Sequence, residues 1–337
     1  MLFSIVIPVF NAEGSIARLV EAIESSKSND YEIILVNDGS TDDSALVCEN
    51  LACRYSNIHV IHQENAGAAA ARNRGISEAR AQYLLFFDSD DLVEDSVIDK
   101  LTNLLGDQEY DFIAFGYDVL DDRCTTSMGP LPFNGVVSSD ELKSKLCFYA
   151  ENNELNSVWN KVFCRDVIER FGIRFSDMRF GEDAVFVCDY IRCTDNNSLI
   201  VSDVLYHVIP NASSVTHLYY PNRFSDEMEL ISVLENTARR FSVADAEITR
   251  MLVIKRYAAI LFELFNLGLT DCKMSFRDKR KYMSKIITQP IFQESIRDYG
   301  KYKQLTFKEK LWDILLKKQW TALAIFLSAF NAKRKGF

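Results

Sequence analysis

From its first residues the chain alternates short apolar runs with amphipathic stretches. Residues 3–7 (FSIVI) form a β-branched run that meets Pro8, and a polar turn follows at 11–15. Ile16, Leu19, Val20 and Ile23 then recur at helical spacing. Residues 31–36 repeat the apolar run and end in the turn cluster Asn37-Asp38-Gly39-Ser40. Thr41, Asp42 and Asp43 next supply a helix cap and first-turn acids. A third strand is predicted at 58–61, an Ala- and Arg-rich helix at 66–81, a fourth strand at 83–87 and a helix at 92–105. Strands that are apolar on both faces and separated by helices predict a parallel sheet covered on both sides. Ligands of such sheets bind beyond the carboxyl ends of the strands, which here would carry residues 8–11, 37–40, 63–67 and 88–91.

Past residue 120 the alternation fails. Residues 121–160 read as irregular and 225–337 as almost entirely helical, with 254–269 apolar nearly all round, the mark of a buried helix. The expected boundary lies near 220, giving segments 1–220 and 221–337.

Composition narrows the class. The chain has 337 residues, which at ~150 per domain suits about two domains. With 48% hydrophobic and 26% charged residues, collagen, low-complexity disorder and a polytopic membrane protein are excluded. A net charge of -10 argues against nucleic acid as a partner, because phosphate backbones demand a basic surface. Eight scattered cysteines form no C-x-x-C pair, so neither a zinc site nor a redox motif is expected, and the thiols are expected to be reduced. The start, MLFSIVIPVF, lacks the anatomy of a signal peptide, and a cytoplasmic location is expected.

Asp88-Ser89-Asp90-Asp91 is the strongest candidate for chemistry. Carboxylates crowded after an apolar strand repel one another, and a divalent cation relieves the repulsion. Hard oxygen ligands select Mg²⁺, Mn²⁺ or Ca²⁺ over zinc. The alternative is an acidic turn capping the next helix. Asp38 would accept from a base or ribose, or else cap its own turn. Residues 65–75 (NAGAAAARNRG) open a helix with small side chains. That suits either a phosphate at the helix N-terminus, with Arg72 or Arg74 as a fork, or close helix–sheet packing. Glu182-Asp183 begins an apolar helix, either as a complement to its dipole or as a base in a partly dry pocket. His217 would complete a metal shell or sit on the surface. Neither a P-loop nor a G-x-G-x-x-G fingerprint is present.

Taken in order, six words resemble a family 2 glycosyltransferase of the GT-A fold, of the bacterial cell-surface polysaccharide type. They are residues 3–11 (FSIVIPVFN), 32–44 (EIILVNDGSTDDS), 63–75 (QENAGAAAARNRG), 83–91 (YLLFFDSDD), 158–163 (VWNKVF) and 180–186 (FGEDAVF). The resemblance covers about residues 1–220. It implies an α/β, Rossmann-like, mostly parallel sheet flanked by helices, with a nucleotide-sugar half at about 1–120, an acceptor half at about 121–220 and a helical extension. It implies that Pro8, Val9, Phe10, Asn11 and Glu13 line the nucleotide pocket and that Asp38 meets the base. Gly67 and Arg72 would border base and diphosphate. Asp88-Ser89-Asp90 would be the D-x-D motif, with Asp88 towards the ribose and the metal, Asp90 on the metal and Asp91 an extra member of its shell. Asp183 would be the base, Glu182 would orient the acceptor, and Trp159 would shape the acceptor side. Mn²⁺ or Mg²⁺, a nucleotide-diphosphate sugar, commonly of UDP, a glycan or lipid-linked saccharide acceptor and inversion at the anomeric carbon complete what the resemblance implies.

Two rivals stand beside it. A sugar-phosphate nucleotidylyltransferase would carry a Gly-rich loop where this chain has Pro8-Val9-Phe10-Asn11. A catalytically silent sugar-nucleotide-binding scaffold would have less reason to keep acids at 38, 88, 90 and 183.

The C-terminus differs in charge from the rest. Residues 301–337 carry nine Lys or Arg against Glu309 and Asp313, a net +7, which leaves -17 on residues 1–300. Leu311, Leu315, Leu316, Leu323, Phe326, Leu327 and Phe330 make an apolar stripe flanked by lysines and by Trp312 and Trp320. The stripe predicts a helix in an anionic membrane interface through 308–337, at the inner face of the cell membrane, or one docked on its own domain.

Overall fold

The computed structural model describes residues 1–106, 108–121, 124–128, 134–210 and 218–334. Its first third alternates as the apolar pattern predicts: β1 (Phe3–Val9), α1 (Ile16–Glu24), β2 (Tyr31–Asp38), α2 (Ser44–Arg54), β3 (Ile58–Gln63), α3 (Ala68–Glu78) and β4 (Tyr83–Phe86). Then come β5 (Leu92–Val93), α4 (Val97–Leu105), β6 (Phe112–Asp121), β7 (Cys124–Met128), β8 (Gly135–Val137), α5 (Ser139–Ser144), α6 (Leu146–Glu151), β9 (Lys161–Cys164), α7 (Arg165–Phe171), α8 (Glu182–Cys193) and β10 (Ser198–Val208). Six helices close the chain: α9 (Arg223–Arg240), α10 (Asp245–Gly268), α11 (Phe276–Ile287), α12 (Pro290–Tyr302), α13 (Phe307–Lys317) and α14 (Thr321–Arg334).

One sheet runs in the order β3-β2-β1-β4-β9-β6-β10-β5, with β7 on β6 and β8 on β10. Strands β3, β2, β1 and β4 are parallel neighbours, as are β6 and β10, while β9 enters antiparallel between β4 and β6. The register Val9↔Asn37, Asp38↔Gln63 and Val6↔Phe86 brings the carboxyl ends of the first four strands to one edge. Side chains alternate between the faces of the sheet. Ile5, Ile7, Ile33, Leu35 and Leu85 join Ile16, Leu19, Ile23, Val97 and Leu101 in one core. On β4, Phe86 points the other way, into an aromatic cluster with Phe163, Phe175 and Phe186 at 5.2–5.8 Å.

Two expectations change. The helix predicted at 92–105 begins at Val97, because Ser96 sits in the left-handed region at φ 59° and Leu92–Val93 pairs with Tyr206 and His207 as a strand. The stretch 121–160, read as irregular, holds β7, β8, α5 and α6.

The chain forms two compact units. One holds the sheet: residues 1–143, 153–178 and Glu182 to the end of β10. The other holds α9–α14 together with residues 144–152 and 179–181. Three local bonds show why those short stretches belong with the helices. Glu151 pairs with Arg250 of α10 at 2.9 Å, and Asp226 of α9 accepts from the backbone N–H groups of Arg179 and Phe180 at 3.2 and 3.3 Å. The core of this second unit centres on Tyr257, Ile260, Leu264, Leu267, Met283 and Phe292.

Candidate active site

The loops at the carboxyl edge are tied to one another by side chains that a sequence reader would assign to ligands. Asn11, at φ 49°, accepts through Oδ1 from the N–H of Thr41 at 2.8 Å, and its own N–H donates to Ser40 Oγ at 3.1 Å. Glu13 Oε2 accepts from the Asp43 N–H at 2.8 Å, just before α2. Asp38 is buried. Its Oδ1 accepts from Gln63 Nε2 at 2.7 Å and from the Ala66 N–H at 2.8 Å, and its Oδ2 from the Gly67 N–H at 2.8 Å. The carboxylate therefore shapes the loop into α3, besides anything it offers a base. Gly39 (φ 68°) lets that loop close in: a Cβ there would stand 2.7 Å from the Asn65 nitrogen. Gly67 (φ 90°) caps α3 beside open space, with nothing within 4 Å of where a Cβ would point.

Of the residues expected to line a nucleotide, Phe10, Asn11 and Glu13 are exposed at this edge. The side chain of Val9 is fully buried in the hydrophobic core, because the strand alternation points it inward. Pro8 lies within β1, opposite Val36.

At the centre lies Arg72, only 5% exposed, on the sheet-facing side of α3 with Ala71, Gly75 and Ile76. Its two terminal nitrogens divide between distant segments. One donates to Asp88 Oδ1 at 2.8 Å; the other donates to Asp183 Oδ1 at 3.0 Å and lies 3.8 Å from Glu182. The guanidinium stands 5.4 Å over the Phe175 ring, which stacks on Phe186 at 4.0 Å. Asp183, its side chain 15% exposed, lies on the face of α8 that buries Phe186, Val187 and Tyr190. Arg72 thus bridges the carboxylates of Asp88 and Asp183.

The electrostatics follow from burial. Desolvation raises the Asp183 pKa, with Arg72 opposing and Asp88 adding to the rise. Glu182 is pushed up to about 7, first by desolvation and then by Asp183. Burial alone would lower Arg72, but Asp183 and Asp88 outweigh it and keep the cation charged.

Asp88 and Asp90 are half-buried at the turn, with Ser89 buried between them. Asp91 does not join them at the edge. It is buried, with Oδ2 accepting from Tyr206 Oη at 2.8 Å and Oδ1 from the Ile209 N–H at 2.7 Å, and burial pushes it up to about 7. These bonds brace the turn that carries Asp88 and Asp90. Tyr206 Oη also accepts from the Asp88 N–H at 3.1 Å, and its ring stacks on Trp159 at 4.6 Å. His217 lies outside the described residues.

Among the described residues no group of three or more His, Cys, Asp or Glu side chains forms a metal cage. Asp88 and Asp90 still suit a hard divalent cation, since Mg²⁺-type sites need only one or two carboxylates when phosphates complete the shell.

Sequence reading missed Tyr206 and Lys161. Lys161, buried in β9, donates to Ser157 O and Asn160 Oδ1 at 2.7 Å each; burial lowers it to about 7, against Glu154 and Asp183. The signal was a charge inside the apolar word VWNKVF.

Such a sheet, with an acidic turn after its fourth strand, defines an α/β enzyme of the GT-A class. The chain belongs to glycosyl transferase family 2, whose family model matches residues 4–171, and it is a glycosyltransferase. It is 32% identical over 230 residues to the uncharacterized glycosyltransferase EpsJ of Bacillus subtilis (strain 168), covering 68% of this chain and 67% of that one. It is 24% identical over 325 residues to the poly(ribitol-phosphate) beta-N-acetylglucosaminyltransferase TarP of Staphylococcus aureus (strain N315), covering 91% and 93%. The crystal structure of S. aureus TarS 1-349 in complex with UDP matches all of this chain and 92% of that one, with a TM-score of 0.65 at 15% identity.

Proposed function

We propose that the chain moves a sugar from a nucleotide-diphosphate donor, most suitably a UDP-sugar, to a hydroxyl of a glycan or lipid-linked saccharide in cell-surface polysaccharide synthesis. One observation carries the reading. Asp88 and Asp183, 95 positions apart, are drawn to one guanidinium at 2.8 and 3.0 Å. A donor-side carboxylate and a base thus share one site. UDP is favoured because TarS was solved with UDP and TarP is named as an N-acetylglucosaminyltransferase.

In this reading Asp183 takes the proton of the attacking hydroxyl, and Arg72 opposes the rise in pKa that burial imposes on it. Glu182 orients the acceptor beside it. Attack opposite the leaving diphosphate inverts the anomeric carbon in one displacement. Mn²⁺ or Mg²⁺, held by Asp88 and Asp90 when bound, would supply Lewis-acid stabilisation of the leaving group. Gly67 leaves room at the head of α3 for the nucleotide, and Trp159 bounds the acceptor side. The sheet unit would be the catalytic domain, acting at the cytoplasmic side of the membrane.

The test is thermal unfolding against a panel of nucleotide sugars with Mn²⁺ or Mg²⁺, since a ligand that binds the folded state raises Tm. UDP-sugars are expected to raise Tm only with the metal. Protection by another nucleotide's sugars alone would overturn the UDP assignment.

A further inference from the structure

The last two helices have two faces with different fates. Leu315 and Leu316 of α13 and Ala324 and Ile325 of α14 point into the core of the helical unit. The opposite faces stay in water. On α13 these are Phe307, 90% exposed, with Leu311 and Ile314; on α14 they are Leu323, Phe326 and Phe330, the last two 60% and 57% exposed. The spacings i, i+4, i+7 and i, i+3, i+7 place each trio on one side of its helix. Exposed Trp320 stands at the turn joining them. Part of the stripe therefore docks on its own unit and part stays exposed.

Around the outward face, Lys308, Lys310, Lys317 and Lys318 are exposed. The Lys318 ammonium stands 4.9 Å over the Trp320 ring. Residues 301–337 carry net +7 on a chain of net -10. Contiguous exposed apolar patches mark interaction sites, and the charge selects the partner. A second copy would bring the same basic surface against this one. A nucleic acid would take the lysines but would leave the phenylalanines in water. An anionic lipid surface satisfies both sets, the acyl boundary taking the aromatic rings and the headgroups the lysines.

We infer that the outer face of α13 and α14 is a docking surface for an anionic lipid bilayer, on which it lies without crossing. Among the described residues no helix is long and apolar enough to cross a membrane. This inference does not depend on the reaction proposed above.

The test sediments the full chain with vesicles of phosphatidylglycerol and phosphatidylcholine in equal parts, and with vesicles of phosphatidylcholine alone. Binding is expected to the first only and to weaken with salt, as exposed charges are screened. The double change Phe326→Ser and Phe330→Ser is expected to lower partitioning at least tenfold. Lys308→Ala with Lys310→Ala is expected to lower it by about fivefold per lysine. Since all four side chains are exposed, circular dichroism and Tm should match the unchanged chain. Absence of binding to the anionic vesicles would overturn the inference. So would equal binding to both vesicles, or a light-scattering shift from dimer to monomer in the phenylalanine variant without lipid binding.

Discussion

At Asp183 several influences compete: burial raises its pKa, Arg72 lowers it and Asp88 raises it again. Arg72 supplies the cation that lets acids from α8 and the β4 turn share a site. Removing one partner of a buried charge network leaves the others unpaired, which costs about 3–5 kcal/mol. Arg72→Met should lose about that much in urea unfolding at pH 8. The sign of the pH dependence follows from the raised acids. Glu182 sits at about 7 in the folded chain, and the variant removes the cation opposing its rise and that of Asp183. A carboxyl raised by folding gives stability that is full below its unfolded pKa and is lost as pH rises through its folded value. The penalty should therefore be smaller at pH 5 than at pH 8; an equal penalty at both would show that the network is not electrostatic. Asp88, Asp90 and Asp183 were legible in the sequence because they stand in recognisable words. The partners of Arg72 were not, because its bond to Asp183 spans 111 positions and depends on which side of α3 faces the sheet.

The helix that carries Arg72 is set at its depth by Gly75, three residues on. A Cβ at 75 would stand 2.2 Å from Val6 Cγ1, on a fully buried strand residue that cannot move aside. Gly75→Ala should therefore destabilise the chain by about 1–3 kcal/mol through overpacking. It should also lift Arg72 from Asp88, lowering kcat by more than the loss of folded protein explains. Stopped-assay kcat per folded molecule checks this, and an unchanged kcat would separate helix depth from catalysis. Strands β1, β2 and β4 were readable because they are buried on both faces, and β3 from its short apolar run at 58–61. β5 was not, because two residues make no pattern and its pairing comes from β10. The tail divided between core and surface because its apolar stripe is wider than the face the helical unit can cover.

At the scale of the whole molecule, the sheet unit carries Asp183 and the carboxylates after β4, and within the helical unit residues 179–181 are held by Asp226 and by Arg223, whose guanidinium stands 3.8 Å over the Phe180 ring. The claim on which the account turns is that Asp183 acts on the acceptor while the carboxylates after β4 serve the donor. Asp183→Asn, assayed with the nucleotide sugar that best protects the chain, separates the two roles. The account predicts kcat down by roughly 10²–10⁴-fold, with donor affinity kept. Wild-type turnover in that variant, or donor binding lost in step with the rate, would contradict it.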